Sequence, residues 1–89
     1  MPRLIFTQQL ARFLAVPEVT SAATTLRRAL DDAFADNPLL RAYVLDEQGH
    51  LRDNVAVFID GRRISARQRL DDALLPQSTV YILQALSGG

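Results

Sequence analysis

The 89-residue chain contains no cysteine, no tryptophan and no lysine, and its ten basic residues are all arginine. Without cysteine, the chain cannot form a disulfide framework, bind a metal through thiolates or use a cysteine nucleophile. Without lysine, it offers no side-chain amine for an isopeptide bond to itself. Ten acidic residues balance the arginines, so the net charge does not indicate binding to nucleic acid. No apolar run is long enough for a signal peptide or a membrane span, and we expect a cytoplasmic protein that binds no membrane.

The length and the pattern of apolar residues predict one α+β domain. Alternating apolar positions indicate a mixed sheet of four to five strands, over residues 3–7, 18–20, 55–60, 62–64 and 79–86. If the first and last strands are central neighbours, they run parallel, and the segments between them are long enough for that pairing. Asp60-Gly61 is a strong signal for a hairpin turn between the third and fourth strands.

One main helix is expected to cover one face of this sheet. Its apolar stripe follows helical spacing and consists of Leu26, Ala29, Leu30, Ala33 and Phe34. Thr20 or Ser21 is the predicted N-cap, because a short hydroxyl side chain can accept from the first helical amides. Asn37-Pro38 ends the helix, since the residue before proline is pushed out of the α region.

Three further segments give weaker local signals. Arg27–Asp31 and Arg28–Asp32 have the i, i+4 spacing of solvated ion pairs on a helix. Residues 39–45 fit either a short second helix or a helical turn that runs into a strand. Residues 70–75 are predicted to form a helical turn that Pro76 closes.

No cluster of side chains in the sequence indicates catalysis or metal binding. His50 is the only histidine, without a second histidine or a group of carboxylates, so a solvated loop residue is expected. Asp31-Asp32 and Asp71-Asp72 are adjacent pairs, and neighbours on a helix do not face each other, so a shared-proton pair is not expected. The sequence therefore predicts a chain without catalytic residues and without a bound metal or cofactor of its own.

The last strand leaves large apolar side chains to be accounted for. If the helix covers the other face of that strand, Tyr81 and Leu83 point outward, as Phe58 does one strand away. Three such side chains on the open face of a small sheet form a candidate interaction patch. The alternative is that a loop containing Phe13 and Leu14 covers them.

The sequence ends in Gly88-Gly89, two residues without Cβ atoms that cannot contribute to a core. Taken alone, such a pair is typical of a frayed chain end. Residues 84–89, if extended, reach roughly 20 Å from the sheet. Two glycines could then enter a channel too narrow for a Cβ atom.

Taken together, these segments resemble the MoaD/ThiS family of ubiquitin-like sulfur carrier proteins. The segments that carry the resemblance are Asn54-Val55-Ala56-Val57-Phe58-Ile59-Asp60-Gly61, Leu70-Asp71-Asp72-Ala73-Leu74, and Thr79-Val80-Tyr81-Ile82-Leu83 with the terminal Gly88-Gly89. The resemblance covers nearly the whole chain. It implies a ubiquitin-like β-grasp domain over residues 1–86 and a flexible tail over residues 87–89.

The resemblance also implies a mechanism centred on Gly89. An E1-like adenylyltransferase would use ATP and Mg²⁺ to adenylate its carboxylate, and a sulfur donor would convert it to a thiocarboxylate. The sulfur would pass to an acceptor enzyme, for example a molybdopterin-synthase large subunit or a cysteine-synthase-like enzyme. The implied site residues are Gly89 for adenylation, Leu86, Ser87 and Gly88 in the tail, and Phe58, Tyr81 and Leu83 for partner binding. Arg62, in a modest basic cluster beyond the hairpin, is a further candidate for partner binding.

Two alternatives stay open at this stage. The chain could be the small subunit of molybdopterin synthase, where the same chemistry is confined to one complex. It could also be a β-grasp module that binds without covalent chemistry, or a modifier attached to lysines of other proteins through Gly89.

Overall fold

A computed structural model describes residues 1–12, 18–35 and 37–84, without the side chains of Gln8 and Gln9. The elements in chain order are β1 (Arg3–Phe6), α1 (Gln8–Ala11), β2 (Glu18–Thr20), α2 (Leu26–Phe34), α3 (Pro38–Val44), β3 (Val55–Ile59), β4 (Arg62–Arg63) and β5 (Thr79–Gln84). The strands form one sheet in the order β2-β1-β5-β3-β4, in which only β1 and β5 are parallel. The predicted mixed five-stranded α+β fold is confirmed, with the first and last strands as central neighbours.

Helix α2 covers one face of the sheet, as its apolar stripe predicts. All five stripe residues are buried against the inward side chains of the central strands. Those inward side chains are Leu4 and Phe6 from β1, Val55 and Val57 from β3, and Val80 and Ile82 from β5. The rings of Phe6 and Phe34 lie 6.5 Å apart and join the sheet to the end of α2. Each fully buried aliphatic side chain of this kind contributes about 1.5–3 kcal/mol of transfer free energy.

The predicted N-cap of α2 is wrong by four residues or more. Thr25 is the N-cap, and its hydroxyl accepts from the Arg28 N–H at 3.4 Å. The Ser21 hydroxyl instead donates to Asp32 Oδ2 at 2.6 Å. The backbone of Thr25 also forms a bridge with Ala73. This long-range pairing fixes where the helix starts, and the sequence around Thr20 and Ser21 does not reveal it.

The interpretation of Arg27 as one half of a solvated ion pair is also wrong. Its guanidinium donates from one nitrogen to the Gly49 carbonyl and from the other to the Gln68 carbonyl, each at 2.8 Å. A third, longer contact of 3.3 Å reaches the carbonyl of Arg69. Arg27 thus ties α2 to two separate loops.

For the segments before β3 and after β4, the structure selects one of two alternatives in the first and contradicts the prediction in the second. Residues 39–45 resolve into a helix, α3, followed by a bridge between Leu45 and Leu51. The predicted helical turn at residues 70–75 does not form. Leu70 is fully buried with a φ of 54°, and the next residues run alongside the start of α2, where the Leu74 N–H donates to the Thr24 carbonyl. The burial of Leu70 therefore outweighs the helical propensity of this segment in setting its backbone conformation.

No helix in the described part of the chain is long and apolar enough to span a membrane.

Candidate functional site

Strand β5 lies at the centre of the sheet and presents two different faces. Val80 and Ile82 are fully buried under α2, whereas Tyr81 is 45% exposed and Leu83 is half-buried. The alternation follows from the pleat, which sends successive side chains to opposite faces of a strand. The placement predicted for Tyr81 and Leu83 is confirmed; their role in binding a partner stays a prediction.

Tyr81 belongs to a row of side chains that crosses the whole sheet on the side away from α2, which we call the outer face. The strand register places Phe58 opposite Tyr81 on one side and Ile5 opposite it on the other. Glu18 pairs with Ile5 at the β2 edge, and Arg63 pairs with Phe58 at the β4 edge. The row therefore has three apolar side chains in the middle, Arg63 at one end and, at the other, Glu18 in an ion pair with Arg3 at 3.6 Å.

Leu83 forms a second, shorter row with Ala56, next to the first. A shallow groove of about 290 Å³ runs beside it on this side of the sheet, lined by Thr7, Asp53, Asn54, Val55, Ala56, Arg63, Leu83 and Gln84. The groove joins the apolar part of the outer face to the end of β5. Phe58, Tyr81 and Leu83 are thus brought together, as predicted.

Arg62 does not share this face. The two-residue turn at Asp60-Gly61 pairs Ile59 with Arg62 and Phe58 with Arg63. Since paired residues point to the same side of a sheet, Arg63 takes the position beside Phe58 and Arg62 follows the side of Ile59. Arg63 and Ile5 lie in the row but are not among the residues predicted from the sequence, although counting back from the hairpin turn places Arg63 beside Phe58. Partner binding by Arg62 stays a prediction, from the edge of the sheet.

Both ends of β5 are fixed by contacts with distant segments. At its start, the Thr79 N–H donates to Asp60 Oδ1 at 2.9 Å, and the Asp60 N–H donates to the Thr79 carbonyl at 2.9 Å. At its end, the Gln84 N–H donates to the Thr7 hydroxyl at 3.3 Å. Gln84 is therefore the last residue held by the sheet in the described structure, five residues before Gly89.

A second groove, of about 410 Å³, lies beside Gln84 and is lined by α3 residues Ala42 and Tyr43 together with Arg52 and Asn54. Arg52 is held there because its Nε donates to the Ala42 carbonyl at 2.7 Å. No sequence pattern indicates this groove, because α3 and the segment after it are brought together only by the fold. The end of β5 consequently has a groove on each side.

The loop around His50 forms a local structure of its own. The backbone N–H groups of His50 and Gln48 both donate to Asp46 Oδ1 at 2.9 Å. These bonds, that from His50 first, hold the pKa of the Asp46 carboxyl below its ordinary value, against a smaller opposing effect of desolvation. Within the described residues, no group of three or more histidine and carboxylate side chains could hold a metal ion.

The remaining predicted site residues fall outside the described residues. They are the tail positions Leu86, Ser87, Gly88 and Gly89, and the alternative covering residues Phe13 and Leu14. The predicted boundary between the domain and its tail at residue 86 lies there too.

A mixed sheet with parallel central strands, one main helix packed on one face and an open outer face is the ubiquitin-like β-grasp arrangement. No protein-family model matches the sequence, and the comparison with curated proteins finds no match.

Solved structures match the chain along nearly its whole length. It is similar to a chain of the BexX/CysO complex from Amycolatopsis orientalis, with a TM-score of 0.85 and 18% sequence identity over 100% of both chains. It is similar to CysO from Mycobacterium tuberculosis, with a TM-score of 0.82 and 18% identity over 97% of this chain and 100% of that one. SAMP1 from Haloferax volcanii gives a TM-score of 0.80 and 22% identity, over 99% of this chain and 98% of that one. These neighbours are β-grasp proteins of the MoaD/ThiS type, so the predicted resemblance is confirmed at the level of the fold.

Proposed function

We propose that the chain is a sulfur carrier whose Gly89 carboxylate is activated by a partner enzyme and converted to a thiocarboxylate. The observation that carries this proposal is the position of β5, a central strand anchored at both ends whose last described residue, Gln84, precedes Gly89 by five residues. The match over the full length of a CysO-complex chain supports it.

The five residues after Gln84 could reach about 17 Å if fully extended. That distance is enough to carry a terminal carboxylate into an active site buried in another protein. The two final residues lack Cβ atoms, which suits a narrow entry channel. Because Gln84 lies at the end of the outer face, a partner that docks on this face would also be the protein that receives the tail.

The outer face is the proposed docking surface for that partner. Its middle offers Tyr81 and Phe58, aromatic residues of the kind that dominate binding energy at interfaces. Arg63 at the β4 end would set orientation through charge complementarity, which favours specificity and association rate, whereas Glu18 at the β2 end forms an ion pair with Arg3 at 3.6 Å. The partner surface that fits is therefore apolar in the centre, with an acidic group toward β4.

The chemistry divides between the two proteins. A free carboxylate is an anion at neutral pH and a poor electrophile. An E1-like adenylyltransferase with ATP and Mg²⁺ would form the acyl-adenylate, and a sulfur nucleophile from a donor protein would attack the acyl carbon and release AMP. The carrier contributes the carboxylate and the docking surface, and needs no catalytic side chain. A cysteine-synthase-like enzyme or a molybdopterin-synthase large subunit would be the acceptor.

The test is the intact mass of the chain after incubation with an E1-like enzyme, ATP, Mg²⁺ and sulfide. Exchange of oxygen for sulfur at Gly89 adds about 16 Da, a covalent change that mass spectrometry resolves. A chain lacking Gly89 is the matched control. No mass change with any adenylating partner, or an equal change in the shortened chain, contradicts the proposal.

A protein modifier is the second candidate. The structural similarity to SAMP1, a small archaeal modifier protein, supports it. Modification would give adducts in which Gly89 is joined to lysines of other proteins. A stable complex with a molybdopterin-synthase large subunit would instead identify the small subunit of that enzyme. Activity that survives removal of Gly88-Gly89 would identify a non-covalent module.

A further inference from the structure

Helix α3 exposes an apolar pair of side chains next to the pair that it buries. Leu40 and Val44 are fully buried in the core, whereas Leu39 is 64% exposed and Tyr43 is 40% exposed. Leu39 and Tyr43 are four positions apart, so they lie on one face of the helix, one turn from each other. Single exposed apolar residues are ordinary, but two neighbours beside a groove form a candidate binding surface.

Tyr43 also lines the groove of about 410 Å³ beside Gln84, which we call the α3 groove. The guanidinium of Arg12 lies 5.7 Å from the centre of the Tyr43 ring. Arg52 and Asn54 line the groove as well, and none of the described residues that line it is acidic. The α3 groove therefore combines an aromatic side chain with positive charge.

Arg52 is the residue placed to bind an anionic group in this groove. Its Nε donates to the Ala42 carbonyl at 2.7 Å, which fixes the plane of the guanidinium. Among the described residues, its two terminal nitrogens have no hydrogen-bond or ion-pair partner. Two such nitrogens bind a carboxylate through a pair of parallel N–H···O bonds. Because Arg52 is already oriented, less conformational freedom is lost when that pair forms.

We propose that the α3 groove binds a short segment of a partner protein in which a glutamate or aspartate stands next to a large apolar side chain. The carboxylate pairs with the terminal nitrogens of Arg52, and the apolar side chain packs on Tyr43 and Leu39. Charge complementarity selects an acidic segment. The volume is at the low end of the range of ligand sites, about 300–1,000 Å³, which suits a few side chains. A nucleic acid needs several phosphate contacts, which one arginine in the groove does not supply.

The α3 groove adjoins the outer face at the end of β5. Asn54 and Gln84 line both this groove and the groove beside Leu83. A segment bound in the α3 groove is therefore continuous with the outer face, and one partner can occupy both. The inference goes beyond the proposed sulfur transfer, because binding here needs no chemistry at Gly89.

The experiment selects random linear peptides, displayed on phage, on the full chain and removes those that also bind Arg52→Gln. We expect the remaining peptides to share an acidic residue within two positions of an aromatic or large aliphatic one. With a synthetic peptide of this kind, amide chemical shifts should change in α3, at residues 52–54 and at Gln84, with little change at Ile5. Enrichment of no peptide, enrichment without an acidic residue, or shifts centred on the outer face contradicts the proposal.

Dissociation constants of the selected peptide test each contact. Arg52→Gln should weaken binding by about tenfold or more, and so should exchange of the peptide's acidic residue for its amide. The two changes together should lose little more than either alone, because both remove the same pair. Leu39→Ser, at an exposed position, should weaken binding by about fivefold. Arg41→Gln is the matched control, an exposed arginine of α3 that does not line the groove, and its affinity should be unchanged.

Additive losses for Arg52→Gln and the amide peptide would show that the guanidinium and the carboxylate do not meet. Equal losses in Arg41→Gln and Arg52→Gln would show a general effect of charge, and either result overturns the proposal. Thermal unfolding of each variant separates lost binding from lost folding, and Leu39→Ser tests the same groove if Arg52→Gln does not fold. None of these measurements involves loading of Gly89, so their outcomes are independent of the test of the proposed function.

Discussion

Thr7 and Gln84, 77 positions apart in the sequence, are joined by a hydrogen bond of 3.3 Å from the Gln84 N–H to the Thr7 hydroxyl. The Thr7 N–H also donates to the Ile82 carbonyl. Thr7, which directly follows β1, therefore bonds to both Ile82 and Gln84 at the end of β5. The end of the described part of β5 is therefore held by a side chain from a segment distant in sequence.

Replacing Thr7 with valine should release the end of β5 while keeping the β-branched shape of the side chain. We expect a loss of about 1 kcal/mol in the free energy of unfolding, the usual net value of one hydrogen bond. Amide hydrogen exchange at Gln84 should accelerate by roughly fivefold, in line with that value. Thr7→Ser keeps the hydroxyl and should retain slow exchange. Unchanged exchange in Thr7→Val would show that the bond does not hold the strand end.

Arg27 should be the most important surface arginine for stability. Arg27→Lys keeps the charge but cannot reach the Gly49 and Gln68 carbonyls together, so we expect a cost of about 1–3 kcal/mol in urea denaturation. Arg28→Lys, one position along the same helix and exposed, is the matched control and should stay within about 0.5 kcal/mol of the original chain. Equal stability of the two variants would contradict the role given to Arg27.

The parts of this fold that could be predicted from the sequence are those set by local periodicity. The α2 stripe was correct at every position, and the inward and outward faces of β3 and β5 followed from alternation. In both cases the apolar residues are numerous enough that only one face can enter the core.

The parts that could not be predicted depend on partners distant in sequence. Several hydroxyl residues before α2 are suitable N-caps, and the bridge between Thr25 and Ala73 selects one of them. Likewise, Arg27 had a suitable acidic neighbour one turn away, but its contacts lie 22 and 41 residues away in sequence. The position of Arg63 beside Phe58 is a different case, because the register set by the hairpin turn was already available from the sequence.

Two glycines among the described residues, Gly49 and Gly61, have positive φ, and an added Cβ would clash at neither. Asp60 and Gly61 have φ values of 50° and 86°, as a tight hairpin turn requires, and a Cβ added at Gly61 meets nothing within 4 Å. Gly61→Ala should therefore cost about 1 kcal/mol through backbone strain alone. At Gly49, with a φ of 80°, an added Cβ lies 3.4 Å from an Arg27 guanidinium nitrogen. That distance is an ordinary van der Waals contact, so Gly49→Ala should also cost about 1 kcal/mol in the same urea titration, and a much larger cost would contradict this account.

The Asp46 turn should contribute to stability at neutral pH and lose that contribution in acid. The folded-state pKa of Asp46 is lowered, chiefly by the His50 N–H, so the unfolded chain binds the proton more readily. The stabilisation is complete above the unfolded pKa of about 3.9 and disappears as the pH falls through the lower folded value. Asp46→Asn keeps an acceptor oxygen but cannot ionise. The stability difference between the two chains should be largest near neutral pH and should shrink below about pH 4; a difference that stays constant with pH would rule out this origin.

The outer face gives the most direct test of partner docking. Tyr81→Ser removes the exposed aromatic at the centre of the row formed by Ile5, Phe58 and Arg63, while the inward face of β5 is untouched. With the adenylating partner that loads the unsubstituted chain, we expect kcat/KM for loading to fall by about tenfold or more, as for a central aromatic at an interface. Leu75→Ser is the matched control, because Leu75 is 59% exposed and lies outside the outer face. Its loading rate should be unchanged. Equal losses in both variants would point to general destabilisation, and no loss in either would place the docking surface elsewhere on the molecule.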